Sequence, residues 1–400
     1  MNTLGVASFQ ADLGIEVILR LFSSQGLKRM FAQFDDLDME LQENAYRIYS
    51  LREEYIQTID AVMLFLQNKN PTLAHAICGR TYLPEASRFQ QTDDLDYAFG
   101  NMGIQDRARH LATLYLEDLG DLIAETIDPN FGFSRYAERL GRAATHFDEM
   151  EAEVIAPNSI VTDILHELLV EKIEAEQPTA ICLSVPFPGN LFGAFKCGQL
   201  VKEKYSHIKV VMGGGYPNTE LRRLKDARVF QFIDYITLDD GEAPIRCLLE
   251  HLDGKRELKE LKRTYSLVNG EVVYHNLAKE KDVAQREVGT PDYSDLLLHD
   301  YISVIEVTNP MHRLWSDGRW NKLTLAHGCY WGKCSFCDIS LDYIKNYEPV
   351  SASILCDRIE EIIKQTNQNG FHFVDEAAPP QLMRELALEI IRRKITIVWW

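Results

Sequence analysis

TAICLSVPFPGNLFGAFKCGQLVKEKYSHIKVVMGGG, residues 179–215, reads as a strand, a helix and a second strand. Its apolar runs, TAICLSVP (179–186) and IKVVMGGG (208–215), are short and stop at Pro or Gly, with a helical pattern over 190–204 between them. YITLDDGE (235–242) repeats the strand signal, and further helical patterns lie over about 218–226 and 243–252. Strict alternation, with strands apolar on both faces, predicts a parallel sheet covered on both sides. We therefore assign residues 177–255 to a doubly wound, Rossmann-like domain. Ligands on such sheets sit at the carboxyl ends of the strands. Ser184, the Gly213-Gly214-Gly215 run and DDGE (239–242) all collect at that end. Glycines let backbone approach a flat cofactor closely, although any tight strand-to-helix turn uses them equally.

Working outward, residues 1–176 carry helical stripes. Ala45, Ile48, Leu51, Tyr55, Ile59, Val62, Met63 and Leu66 recur at helical spacing between Leu41 and Leu66. A second stripe runs from Ile104 to Ile127 and stops at DPNFG (128–132); a third begins at Asn158, a candidate N-cap. GVASFQADLG, at the opening of the chain, is a candidate early strand of the same sheet. Residues 256–320 read as a connector whose Asn269-Gly270 marks a β-hairpin. Over 321–400 strand and helix alternate again: LTLAHG (323–328), SILCDRIEEIIKQ (353–365), GFHFVDE (370–376), QLMRELALEIIRR (381–393) and ITIVWW (395–400). A (β/α) barrel takes about thirty residues per unit, so this segment holds only the first part of one and stops inside a strand. A truncated barrel is the expectation.

The chain has 400 residues, 46% of them hydrophobic and 26% charged, an ordinary globular composition for two or three domains. Forty-two basic against sixty acidic residues give a net charge of −18, which argues against nucleic acid as a partner. No apolar run is long enough to span a membrane and the first residues lack the pattern of a secretory signal, so a cytoplasmic protein is expected.

In a reducing compartment most of the eight cysteines should be buried and inert, as expected for Cys78, Cys182, Cys197, Cys247 and Cys356. Cys329, Cys334 and Cys337 differ, falling within nine residues in HGCYWGKCSFCD (327–338). Three thiolates on one loop select iron–sulfur or zinc, and three of them can hold three irons of a cubane cluster with the fourth left open. The zinc alternative would recruit His327 or His312 as a fourth ligand, but structural zinc sites usually take cysteines in pairs and no second pair exists.

This loop resembles the cluster motif of radical S-adenosylmethionine (radical SAM) enzymes: three cysteines after the first barrel strand, with an aromatic, here Phe336, before the last. The family most often has three residues between the first two cysteines; this chain has four, Tyr330 to Lys333. The resemblance implies a 4Fe-4S cluster on Cys329, Cys334 and Cys337, S-adenosyl-L-methionine as co-substrate, and an electron donor such as flavodoxin or ferredoxin. It also implies a 5′-deoxyadenosyl radical that takes hydrogen from a small-molecule substrate. Asp375 and Glu376 stand where the family presents backbone to the methionine amino group, with the usual glycines replaced; a solvated acidic strand end is the other reading. The preceding α/β unit resembles the cobalamin-binding domain found in many radical SAM proteins. On that resemblance Ser184, Gly213 and Gly214 are the candidate cobalamin contacts. The Asp-x-His-x-x-Gly segment that supplies a cobalt-ligating histidine is missing, so the domain either binds without one or keeps the fold alone. The rival function is a non-catalytic zinc- or cluster-binding module beside a Rossmann-like interaction domain.

Overall fold

Asp12 and Ser23 start the first two helices, each side chain accepting the backbone amide three residues on, and α1 (Leu13–Leu21) and α2 (Ser24–Phe31) follow. The computed structural model describes residues 1, 4–34, 41–91, 95, 103–133, 137–142, 146–306, 320–335, 337–338, 340–375, 377 and 379–400. The stripe predicted over 41–66 forms two helices, α3 (Glu43–Ser50) and α4 (Arg52–Leu66), with Leu51 outside helical geometry between them. After α5 (Leu73–Cys78) comes the long α6 (Gly103–Thr126), which buries Leu111, Tyr115, Leu119 and Leu122 against Ile48, Tyr55 and Ile59 in one core. The short α7 (Glu138–Arg142) and α8 (Asp148–Ile155) lead to α9 (Ile160–Glu176). Its N-cap is Ser159, one residue beyond the Asn158 expected, and the Ser159 hydroxyl also donates to Asp128 at 2.8 Å.

Asp118 shows how the helical region handles buried charge. It is fully buried on α6, and its two carboxylate oxygens accept the amides of Ala86 and Arg88 at 3.0 and 3.1 Å. Burial outweighs these bonds and pushes its pKa up to about 6. A raised acid pKa means the folded protein holds the proton more tightly than the unfolded chain. The associated stability is present below about pH 4 and lost as the pH rises through about 6. Urea unfolding of wild type and Asp118→Asn should therefore diverge: from pH 4 to 7.5 wild type should lose about 2 kcal/mol relative to the variant. A difference that stays constant with pH would mean that the carboxyl titrates normally.

Five strands form one mixed sheet in the order β1 (Ala180–Ser184), β2 (Lys209–Gly213), β3 (Tyr235–Thr237), β4 (Thr264–Val268) and β5 (Glu271–His275). The first three are parallel; β4 and β5 add on antiparallel. The hairpin expected in the connector is real, with both turn residues at positive φ (Asn269 51°, Gly270 83°), and it extends the sheet. Helices α10 (Leu191–Lys204), α11 (Gly215–Glu220) and α12 (Glu242–Leu252) follow the three parallel strands. Val210 and Met212 bury into the helical core, while Val211 packs on Cys247, Leu248 and Leu261.

The expectation that every strand is apolar and covered on both faces fails at β1. It is an edge strand: Ile181 and Leu183 pack on the helical core, while Cys182 and Ser184 point to the opposite face and are exposed. Cys182 is thus no inert core thiol, and Cys78 is only half-buried, whereas Cys197, Cys247 and Cys356 are buried as expected. GVASFQADLG is not a strand; its described residues are irregular up to α1. Lys196 on α10 is a buried cation, 1% exposed. Its Nζ donates to the carbonyls of Val154 and Ala156, at the carboxyl end of α8, and to Asn158 Oδ1.

The described residues divide into two units. One is drawn from Asp12–Ala278 and Asp300–Arg313, the other from Met1–Ala11, Lys279–His299 and Leu314–Trp400. The second unit contains a parallel sheet in the order β10-β9-β6 and a two-stranded antiparallel ribbon. Its strands are β6 (Asn321–Leu323), β7 (Ala326–His327), β8 (Glu348–Pro349), β9 (Gly370–Phe373) and β10 (Val398–Trp399). Its helices are the four-residue α13 (Asp342–Lys345), then α14 (Ala352–Thr366) and α15 (Pro380–Arg393). β6-α14-β9 and β9-α15-β10 are successive parallel units, the pattern that opens a (β/α) series. Leu323, Phe371 and Phe373 pack against Leu355, Ile359, Ile362, Leu382 and Leu386. A strap, residues 285–293, is tied to α14: the buried Arg358 donates to the carbonyls of Gln285 and Val288, and Gln365 holds Pro291 and Tyr293. Among the described residues no helix is long and apolar enough to cross a membrane.

Candidate functional site

The strand predicted over 323–328 breaks after Leu323 and resumes as β7, so the chain bends just before the cysteines. β7 pairs with β8, Ala326 opposite Pro349 and His327 opposite Glu348, which closes the cysteine segment into a loop. Further bonds reinforce its base. Val350 N–H donates to Leu325 O at 3.0 Å, and His327 Nδ1 lies 3.0 Å from Asn346 O. His327 is therefore a strand-end residue engaged with backbone. Gly328 has φ +67°, and a side-chain carbon there would lie 2.2 Å from Asn346 O. Only glycine fits where the loop leaves its base.

Cys329, Cys334 and Cys337 are all half-buried on this loop, and Cys337 N–H donates to Cys334 O at 3.4 Å. Among the described residues no three His, Cys, Asp or Glu side chains converge on one point, so the three thiols share a loop without already forming a triangle. The donor set nevertheless fits an iron–sulfur cluster: three soft ligands on one closed segment, each reachable from outside. Tyr330 and Trp331 are exposed beside them. The Tyr330 ring meets Tyr347 edge-on at 6.2 Å, and Lys333 Nζ lies 5.2 Å from the centre of the Trp331 ring. Burial raises the Tyr347 pKa, and the nearby Asp375 carboxylate adds to it. Phe336 and Glu376 lie outside the described residues, as do His312 and most of WSDGRW (315–320).

Asp375 is described, and both of its oxygens are in use. Oδ2 accepts Leu325 N–H at 2.8 Å and Oδ1 accepts Ala326 N–H at 2.9 Å. Burial holds its pKa above the usual carboxylate range, against the pull of those amides. Sequence reasoning placed Asp375 at this strand end but gave no hint of the two amides. It also missed Lys322 and His372, paired across β6 and β9 on the face away from the helices, with Lys322 Nζ 2.8 Å from His372 Nδ1. Burial and the neighbouring lysine hold the His372 imidazole below its ordinary pKa. The alternation in GFHF was the available signal, since it turns a polar residue away from the helix-packed face.

On the larger sheet, Ser184 pairs in register with Gly213 at the carboxyl ends of β1 and β2. A side-chain carbon on Gly214, at φ +108°, would lie 2.8–3.0 Å from the backbone of Val185, and one on Gly215 would lie 2.8 Å from Pro186 O. The space at Gly213 is taken by Thr237 Oγ1. The glycines thus let the exit of β1 cross close over the exit of β2, where Val185 N–H donates to Gly213 O and Tyr216 N–H to Val185 O. α7 lies against the same end: Gly141 presses on Pro188 O and accepts the Tyr216 hydroxyl at 2.8 Å. In DDGE, Asp239 at φ +60° is ion-paired to Arg222 and lies 3.6 Å from Arg263. At this end Ser184, Pro186, Phe187 and Gly215 are exposed, Phe187 to 70%.

No family model matches the chain and no curated protein matches it. Solved structures of similar shape include the cobalamin-dependent S-adenosylmethionine radical enzyme OxsB with aqua-cobalamin and S-adenosylmethionine bound. It is 20% identical, with 58% of this chain and 31% of that chain covered and a TM-score of 0.46. Another is the radical S-adenosylmethionine methyltransferase TsrM from Kitasatospora setae with cobalamin and a [4Fe-4S] cluster bound. It is 16% identical, with 57% of this chain and 44% of that chain covered and a TM-score of 0.40. The chain spans about a third of the length of OxsB.

Proposed function

We propose that this chain is the cluster-bearing part of a radical SAM enzyme, joined to a cobalamin-binding-type α/β domain. The observation that carries the reading is the closed loop holding Cys329, Cys334 and Cys337 at the carboxyl end of a parallel strand. Cys329, Cys334 and Cys337 would hold the 4Fe-4S cluster. When bound, a reduced cluster with one open iron supplies the electron that cleaves S-adenosyl-L-methionine to a 5′-deoxyadenosyl radical. The protein's own part is to hold the loop at its base, to leave the thiols reachable, and to offer the polar face of Lys322 and His372 beside the strand ends. Cobalamin would lie at the carboxyl ends of β1 and β2, against Ser184, Gly213 and Gly214, with no histidine from an Asp-x-His-x-x-Gly segment. A small-molecule substrate and a flavodoxin- or ferredoxin-type electron donor complete the proposal.

The test is anaerobic reconstitution with iron and sulfide, followed by electron paramagnetic resonance of the reduced protein. A 4Fe-4S signal that shifts on addition of S-adenosyl-L-methionine is the expected result. Stoichiometric zinc and no cluster would overturn the proposal. A cluster signal indifferent to S-adenosyl-L-methionine would remove its co-substrate.

A further inference from the structure

The backbone ladder between β6 and β9 ends early. Its last register pair is Leu323 with Phe373, followed by Val374 N–H donating to Leu323 O at 3.1 Å. Beyond that point β6 bends toward the cysteines, and Leu325 and Ala326 are buried, 0% and 4% exposed. Among the described residues no strand supplies acceptors for their amides there. Asp375 supplies both, one oxygen to each amide. Leu325 is gripped from the other side as well, its carbonyl taking the amide of Val350 on the returning arm of the loop. One carboxylate therefore fixes the outgoing arm to β9, and the returning arm is fixed to the outgoing one.

We propose that Asp375 is the positioning residue of the cysteine loop. It replaces the missing rungs of the β6–β9 ladder with its side chain and so sets where Cys329, three residues after Ala326, leaves the sheet. Rather than touching the cluster or its co-substrate, it acts through the stem. The proposal rests on the cluster reading for its functional meaning, but the clamp itself has a readout that needs no metal.

Amide hydrogen exchange of the metal-free protein, iron per chain after reconstitution and electron paramagnetic resonance should be compared in wild type, Asp375→Ala, Asp375→Asn, Asp375→Glu and Cys334→Ala. In Asp375→Ala the amides of Leu325 and Ala326 should exchange at least about tenfold faster, as partners lost from a buried stem expose them to local opening. Iron per chain should fall at least about twofold and the remaining signal should broaden, the visible result of the roughly 10–100-fold loss of affinity that a missing outer partner of metal ligands costs. Asp375→Asn, with one acceptor left, should fall between, and Asp375→Glu, with both, should recover most of the protection. These two carry the comparison if the alanine variant does not fold. Cys334→Ala should lose iron yet keep the wild-type exchange at Leu325 and Ala326. Unchanged exchange in Asp375→Ala and Asp375→Asn overturns the clamp. Faster exchange with wild-type iron content and line shape overturns the positioning role. A wild type that takes up no iron while its exchange pattern follows Asp375 overturns the cluster reading instead, and with it the functional role of the clamp.

Discussion

Cys334→Ala should leave the protein colourless after anaerobic reconstitution, with iron at background and far-ultraviolet circular dichroism unchanged. Cys334 sits at the middle of the motif, five residues after Cys329 and three before Cys337, on a loop whose base does not depend on it. Removing it leaves two thiolates, too few for a cubane with one open iron. The loss of affinity should exceed the roughly 10–100-fold that a missing outer partner costs. Fold and stability should barely move, because the Cys334 side chain is half-buried and carries none of the bonds that close the loop. A variant that keeps its full iron content would show that the metal is held elsewhere.

Gly214→Ala should be the most damaging single change in the larger sheet. At φ +108° and ψ −171° the residue occupies a region essentially reserved for glycine. An added carbon would also sit 2.8–3.0 Å from three backbone atoms of Val185, which cannot swing aside as a flexible side chain can. Together these should cost about 3–5 kcal/mol in urea unfolding. Gly213→Ala is the built-in comparison. It has no positive φ, and its close neighbour at 2.9 Å is the hydroxyl of Thr237, which can rotate away; the cost should be about 1 kcal/mol. Equal losses at the two positions would refute the close crossing of β1 over β2.

The contrast between these glycines shows where sequence reasoning reached its limit. Patterns set by period were legible. α6, α9, α10, α14 and α15 lie within a residue or two of their apolar stripes, and the Asn-Gly turn placed the β4–β5 hairpin. What the glycines approach was not legible, because the neighbour is a backbone segment about thirty residues away in the chain. The same holds for Asp375, whose partners are fifty and forty-nine residues distant. Cys182 failed for a related reason: an apolar run reads as buried on both faces until one knows which strand stands at the edge. The three cysteines stand out by spacing alone; the closure of their loop by β7 and β8 is what the structure adds.

The tied base of the cysteine loop has a consequence for assembly. Joining β7 to β8 and fastening Leu325 to Val350 brings the ends of a segment of about twenty residues together through backbone bonds, so the closure entropy is offset by protein contacts at the base of the loop. On the proposed reading, the three thiols within that ring would meet iron as a single multidentate chelator, the first sulfur to bind raising the effective concentration of the other two. Cluster loading should accordingly occur on the already folded chain, with a steep dependence on iron and no change in helix content.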